Sequence, residues 1–377
     1  MQRLVKGTLY GLIVLGIIST TYYFNSNDGA DNGGALYGGL ISQQTESLEQ
    51  VVKGKLLQFP EDHQPHPEFA IEWWYFTANL RANAASEQSY SLQYTLFRFN
   101  QGNKRANAWA DGQMYMAHAS LHTPEHHYFS ERFARGGHKH VGVTNAPLTL
   151  RMDNWLWQAN TDLLLPAALN LNMSSAERDV SMQFSLDASG PLILQGESGY
   201  SEKSSTGSHA SYYYSQPFIQ VEGMITENID ATADPVSVSG QGWFDHEWTS
   251  QLLDQQTLGW DWFSIHFDDG SKLMAFQMRL KDSTDFVTGT LIDRSGGSSV
   301  LKNGSITLTA NDYEIDQESR IQYPVGWRLR ISKSNIDLNI SPQREKQWND
   351  GRFRYYEGAI TVSGTHTGEG FMELTGY

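Results

Sequence analysis

Two carboxylates stand inside aromatic runs: Glu72 in Glu72-Trp73-Trp74-Tyr75-Phe76, and Asp261 in Trp260-Asp261-Trp262-Phe263. A strand sends alternate side chains to one face. Asp261 therefore shares a side with Phe263, Ile265 and Phe267, and Glu72 shares one with Trp74, Phe76 and Leu80. A carboxyl group on such an apolar wall has two uses. It is either tied to a buried partner as structural glue, or it keeps its proton near neutral pH and can act as an acid. A third chemical group lies in Gly242-Trp243-Phe244-Asp245-His246-Glu247-Trp248, where alternation puts His246 between Phe244 and Trp248. If neighbouring strands bring His246 close to Asp261, an acid, a base and several ring faces surround one apolar space. That set suits an alkene: the acid protonates the double bond, Trp faces stabilise the cation, and a water activated by His attacks it. The same residues also describe a packed aromatic core with a satisfied histidine.

The elements that would position these groups are strands. Strand-like segments run over Ile71–Leu80, Tyr90–Phe99, Met114–Leu121, Val180–Leu186, Ser211–Gln220, Val236–Trp248, Gly259–Phe267, Lys272–Leu280 and Tyr355–Gly364, while helical signals are few, Ser42–Val52 being the strongest. The strand at Glu72 is followed by a hairpin partner carrying Leu92 and Arg98, and the strand at Asp261 by one carrying Leu273 and Arg279. Both partners keep the spacing Leu-x5-Arg, a weak internal repeat that points to two domains of one kind. Asp268-Asp269-Gly270 supplies a tight turn in the second copy. Two antiparallel barrels with a boundary near Glu222 to Pro235 fit this pattern.

At 377 residues the chain exceeds one ordinary domain, and its net charge of −15 without any basic cluster disfavours a nucleic-acid partner. Aromatic residues make up 12% of the chain, and there is no cysteine. Disulfides, thiolate metal sites and a cysteine nucleophile are thereby excluded. Arg3 and Lys6 precede the uncharged, mostly apolar Gly7 to Phe24, and Asp28 and Asp31 follow. This reads as a signal anchor or signal peptide over 1–24, with the remainder on the periplasmic side of the inner membrane. Residues 25–58, rich in Ser, Asn, Gln and Gly, read as a flexible tether, and the folded part is expected from Phe59. The domains are then 59–230 and 231–377.

Half of the twelve histidines, His118, His122, His126, His127, His138 and His140, fall in one stretch without a firm ligand spacing, so no metal is expected. G-x-S-x-G, H-E-x-x-H and Walker A motifs are absent from the sequence.

Several short motifs together resemble one family. They are Phe59-Pro60-Glu61-Asp62-His63, Glu72-Trp73-Trp74-Tyr75, Ala117-His118-Ala119, Ser211-Tyr212-Tyr213-Tyr214-Ser215, Asp245-His246-Glu247-Trp248, Gly259-Trp260-Asp261-Trp262-Phe263 and Glu373-Leu374-Thr375-Gly376-Tyr377. The combination is similar to the AttH-like proteins, grouped with the carotenoid 1,2-hydratases in a lipocalin-like superfamily and often labelled secreted hydrolases. The resemblance implies an all-β protein of two lipocalin-like antiparallel barrels and, for many AttH-like members, a link to an ABC exporter. It also implies hydratase positions: the His-x-Trp pair falls on His246 and Trp248, and the Tyr-x-Asp pair falls on Asp261 with Gly259 in place of the tyrosine.

The leading expectation is an exported, membrane-tethered protein that binds an apolar lipid or isoprenoid, associated with an ABC transport system and needing no cofactor. Asp261, His246 and Trp248 are its candidate catalytic residues. Trp260, Trp262, Phe244, Glu72, Trp74, His118 and Tyr213 are its candidate ligand contacts. A hydratase or cyclase acting on an alkene is the alternative, and a secreted hydrolase the third. Asp261, against an apolar cavity, is expected to titrate above Glu72, which is expected to be tied to an Arg or to backbone donors.

Overall fold

A computed structural model describes residues 48–84, 88–102, 111–174, 178–205, 207–229, 232–250, 257–281 and 283–377. Within them every ladder between named strands is antiparallel, and the only helical pieces are short 3-10 turns, Glu61–His63 and Ser332–Ser334. Among the described residues, no helix is long and apolar enough to cross a membrane. The anchor read over 1–24 and most of the tether lie outside the described residues.

The first sheet comprises β1 (Ile71–Ala82), β2 (Ser89–Asn100), β3 (Gln113–His122), β4 (His127–Arg135), β5 (Val141–Thr144), β6 (Thr149–Met152), β7 (Trp155–Ala159), β8 (Ala167–Ser174), β9 (Asp179–Ala188), β10 (Ile193–Leu194), β11 (Tyr200–Glu202), β12 (Ala210–Ile229) and β13 (Thr232–Thr249). Its order β4-β3-β2-β1-β13-β12-β9-β8-β7-β6-β5 curls into a nearly closed barrel. The second sheet comprises β14 (Thr257–Phe267), β15 (Lys272–Leu280), β16 (Phe286–Ile292), β17 (Ser298–Leu301), β18 (Thr307–Ile315), β19 (Gln322–Ile331), β20 (Ile336–Pro342), β21 (Trp348–Asn349), β22 (Tyr355–Gly364) and β23 (Gly368–Leu374). Ordered β17-β16-β15-β14-β23-β22-β20-β19-β18, it forms a half-barrel.

Two boundaries differ from the sequence reading. The first sheet runs on to Thr249 and the second starts at Thr257, so the division expected at 230 falls inside the β12–β13 hairpin, where Ile229 pairs with Thr232. The polar composition near Glu222 to Pro235 marks two long strands leading to a hairpin end, not a linker. The fold also begins before Phe59. Val51 is buried, the Val52 amide donates to Tyr212 Oη (2.8 Å), and the Glu49 amide donates to the Glu68 carbonyl (3.1 Å). Residues 48–52, the described end of the expected helix, are not helical.

Strand alternation accounts for three compartments. Trp74, Phe76, Leu80, Phe244 and Trp248 face the interior of the first barrel, among Leu92, Leu96, Trp155 and Trp157. Phe263, Ile265 and Phe267 face the interior of the half-barrel, among Trp327, Leu329 and Ile340. The opposite faces of the same strands meet between the two units, where Tyr75, Tyr213, Trp243, Trp262, Phe276 and Phe371 form a core of their own. β1, β13, β14 and β23 are therefore buried on both sides.

Candidate active site between the barrels

The groups that alternation assigns to one face do share one, but the two faces carrying Asp261 and His246 point into different barrels. His246 lies inside the first barrel and is fully buried; its Nε2 meets Glu72 Oε1 at 2.8 Å and its Nδ1 meets Tyr214 Oη at 3.1 Å. Asp261 lies on the half-barrel side, where Tyr377 Oη donates to Oδ1 (2.7 Å) and Arg279 Nε stands 3.3 Å from Oδ2. The expected Asp261–His246 pair does not form, because β14 places the even-numbered Trp260 and Trp262, not Asp261, toward the first barrel.

His246 belongs instead to a cluster that plugs the first barrel. Glu72 Oε1 also meets His66 Nδ1 (2.7 Å), while Oε2 accepts from Arg98 Nε (2.8 Å) and from the His66 amide (2.9 Å). His66 stacks on Trp248 at 3.8 Å, Trp74 stacks on His246, and Asp62 Oδ1 holds His66 Nε2 at 3.1 Å. Burial alone would raise the Glu72 carboxyl, but Arg98 and His66 overcome it and hold the group well below the usual carboxylate range. Burial likewise lowers the His246 imidazole against the pull of Glu72. The donor atoms of His66, Glu72 and His246 lie within 4.8 Å of one another, a set that could hold a divalent metal. Arg98 and the His66 amide already satisfy the second oxygen of Glu72, so this cluster is complete as an ion-pair plug. Burial pushes Asp261 up to about 7, against Arg279 and Tyr377, so it titrates above Glu72 as expected.

The chemistry-bearing pocket lies between the two units. Its walls are Trp73, Tyr75, Phe97, Trp260, Trp262, Phe276 and Met278, with Ile71, and its polar groups are Lys203, Asp245, Glu247 and Glu373. The cavity measures about 60 Å³, room for roughly four waters or one small hydrocarbon branch. Register builds it: Trp73 lies opposite Glu247 and Tyr75 opposite Asp245 on β1 and β13, while Glu373 of β23 lies opposite both Trp262 of β14 and Glu357 of β22.

The carboxyl groups differ in their partners. Asp245 accepts from Ser215 Oγ (2.5 Å), Trp243 Nε1 (2.7 Å) and Tyr213 Oη (2.8 Å), yet burial still lifts it to about 7. Glu247 is paired with Lys203 Nζ (2.7 Å) and accepts from Ser211 Oγ. Lys203 itself sits over the rings of Tyr213 and Phe276. Glu373 accepts from Trp260 Nε1 (2.7 Å); burial raises it to about 7, and the charges of Asp245 and Glu247 add to that rise. One carboxyl is thus held beside an ammonium and another keeps its proton up to neutrality, both facing the same aromatic space. Such a pair can give a proton on one side and take one on the other.

Of the residues picked from sequence, Trp260 and Trp262 line this pocket, and Tyr213 stands behind it through Asp245. Phe244, Trp74, Glu72 and Trp248 belong to the first-barrel interior. His118 lies in the seam between the units, bound to Tyr355 Oη (3.0 Å) and Glu131 (3.1 Å). Sequence reasoning passed over Asp245, Glu247, Glu373, Lys203, Trp73 and Tyr75. One signal could have found most of them: Gly242 to Trp248 carries aromatic residues on both faces, with Asp245 and Glu247 on the face of Trp243, which marks a strand with no solvent side. Gly259, in the position of the hydratase tyrosine, cannot take a side chain on this backbone, since a Cβ would lie 2.2 Å from the Thr375 carbonyl oxygen.

The fold and the pocket together define a lipocalin-like protein, a nearly closed barrel and a half-barrel, with a partly open, acid-bearing aromatic site between its units. The AttH-like family profile matches residues 50–377, and the chain belongs to the AttH-like family. An AttH protein of Nitrosomonas europaea is similar at 32% identity and a TM-score of 0.76, covering 88% of this chain and 99% of that one. Kievitone hydratase from Nectria haematococca shares the fold, with a TM-score of 0.62 at 16% identity, covering 87% of this chain and 96% of that one. Among curated protein sequences there is no significant match.

Proposed function

We propose that the pocket between the barrels adds water across a carbon–carbon double bond of an apolar small molecule, without a cofactor. The observation that carries this reading is the contrast between Glu373, which accepts a hydrogen bond from the neutral indole of Trp260, and Glu247, paired with Lys203, on one aromatic cavity. Glu373 gives its proton to the alkene and becomes a carboxylate. The positive charge left on carbon faces Trp73, Trp260, Trp262, Phe97 and Phe276, whose π-faces attract it. Water forms the new C–O bond and its surplus proton passes to Glu247. Return of that proton to Glu373 through water completes the cycle.

The small cavity and its apolar lining favour the branched end of a larger molecule, and a trisubstituted alkene gives the tertiary cation this mechanism needs. The hydratase activity named for the Nectria haematococca protein of like fold supports the same reading. The test is mass spectrometry of a panel of terpenoid and aryl trisubstituted alkenes incubated with the protein in H2(18)O. An alcohol carrying (18)O that vanishes in Glu373→Gln supports hydration. Binding of these compounds without any such product would leave a ligand-binding role in its place.

A further inference from the structure

Tyr75 enters the pocket wall with its proton already committed. Its hydroxyl donates to Glu357 Oε1 at 2.8 Å, and its ring meets Trp262 edge-on at 5.1 Å. Glu357 is buried, and its Oε2 has no hydrogen-bond partner among the described residues. Burial and Glu357 together hold the phenol's proton well above its ordinary range. A phenol so bound can offer the pocket only its oxygen lone pairs.

A water attacking a cation in an apolar site must aim a lone pair at carbon while both its hydrogens are satisfied elsewhere. It therefore needs two acceptors. The rings of Trp73, Trp260, Trp262, Phe97 and Phe276 supply no oxygen. Asp245 has both oxygens occupied by Ser215, Trp243 and Tyr213, and Glu373 is the proton donor with Oε1 on Trp260. Glu247 and Tyr75 are left. Tyr75 lies opposite Asp245, so Glu247 is its diagonal neighbour across the β1–β13 ladder. Such diagonal pairs stand roughly 7–8 Å apart at the backbone, and both residues line the same pocket.

Resting on the hydration reading, we propose that Tyr75 Oη and Glu247 together hold and aim the attacking water, and that Glu357 is the residue that positions Tyr75. Tyr75 thereby governs what happens to the cation after protonation. With the water aimed, the cation becomes alcohol; without it, the cation loses a proton and returns to alkene.

The experiment uses the alkene panel above, in D2O, with two readouts: alcohol formed, and deuterium built into recovered alkene. Tyr75→Phe is expected to cut the alcohol-to-deuterium ratio at least tenfold while deuterium incorporation persists. Glu357→Met, which frees the hydroxyl hydrogen to turn into the pocket, is expected to shift the ratio in the same direction with the tyrosine still present. If wild-type protein makes alcohol and both variants keep its ratio, the water-aiming role is overturned and hydration stands. Equal loss of alcohol and deuterium also overturns it, since Tyr75 would then serve protonation or folding. A wild type that yields neither product overturns the hydration reading, and this inference with it.

Discussion

Replacing Glu373 by Gln tests the acid assignment through stability as well as turnover. Gln retains the volume and an oxygen for Trp260 Nε1, and removes only the transferable proton. The folded carboxyl titrates at about 7 against an ordinary 4.5. At about 1.36 kcal/mol per pKa unit, the buried anion costs at most about 3 kcal/mol. The sign follows from a folded pKa above the unfolded one: the wild type holds its full stability below pH 4.5 and loses this share as pH rises through about 7. Glu373→Gln should therefore match the wild type in urea unfolding at pH 4.5 and exceed it by up to about 3 kcal/mol at pH 8.5. Its hydration rate should fall by roughly 10²- to 10⁴-fold, and the wild-type rate should decline above about pH 7. A variant less stable than wild type at pH 8.5 would mean that a partner favours the anion, and the general-acid role would be lost.

Glu72→Gln strands Arg98 and two imidazoles in the first barrel and should destabilise by about 3–5 kcal/mol in urea unfolding. A loss below about 1 kcal/mol would show that the cluster is not a buried ion pair. Asp261→Asn, facing the half-barrel, should leave the hydration rate within about twofold of wild type; a loss of the size expected for Glu373→Gln, by the same mass assay, would return the acid role to Asp261. A chain beginning at Phe59 loses the contacts of Val51 and Val52 with the first barrel and should be about 1–3 kcal/mol less stable than one beginning at residue 48. Equal midpoints in urea would make residues 48–58 a tether after all.

Much of the fold was legible because period-two alternation survives in the long strands. Every segment read as strand from Ile71 to Gly364 overlaps one, and Asp268-Asp269-Gly270 closes its hairpin with the Gly270 amide on the Phe267 carbonyl. The Leu-x5-Arg repeat has a physical basis: Arg98 reaches Glu72, and Arg279 approaches Asp261, each across its hairpin. The site was harder to read. Alternation shows which side chains share a face but not which compartment that face meets, and pairing of β1 with β13 is invisible locally. Glu72 thus took the histidine expected for Asp261. Glu373 lies far along the chain from Trp262, with only β-pairing to bring them together.

The pairing of residue 71 with residue 249 also governs when the protein can exist as a working molecule. β1 stays an edge until β13 has been synthesised, so the first barrel has no early, local route to closure, and contacts this distant in sequence make folding slow. Even a finished first barrel presents Trp73, Tyr75 and Trp243 outward with nothing to cover them until β14 and β23 arrive. During that interval the future pocket wall is an exposed sticky patch, the kind of surface on which chaperones and aggregation compete. Completion of the pocket and protection from aggregation therefore come in the same docking event, and lesions that weaken docking should lower yield in cells before they alter the pocket of the molecules that survive.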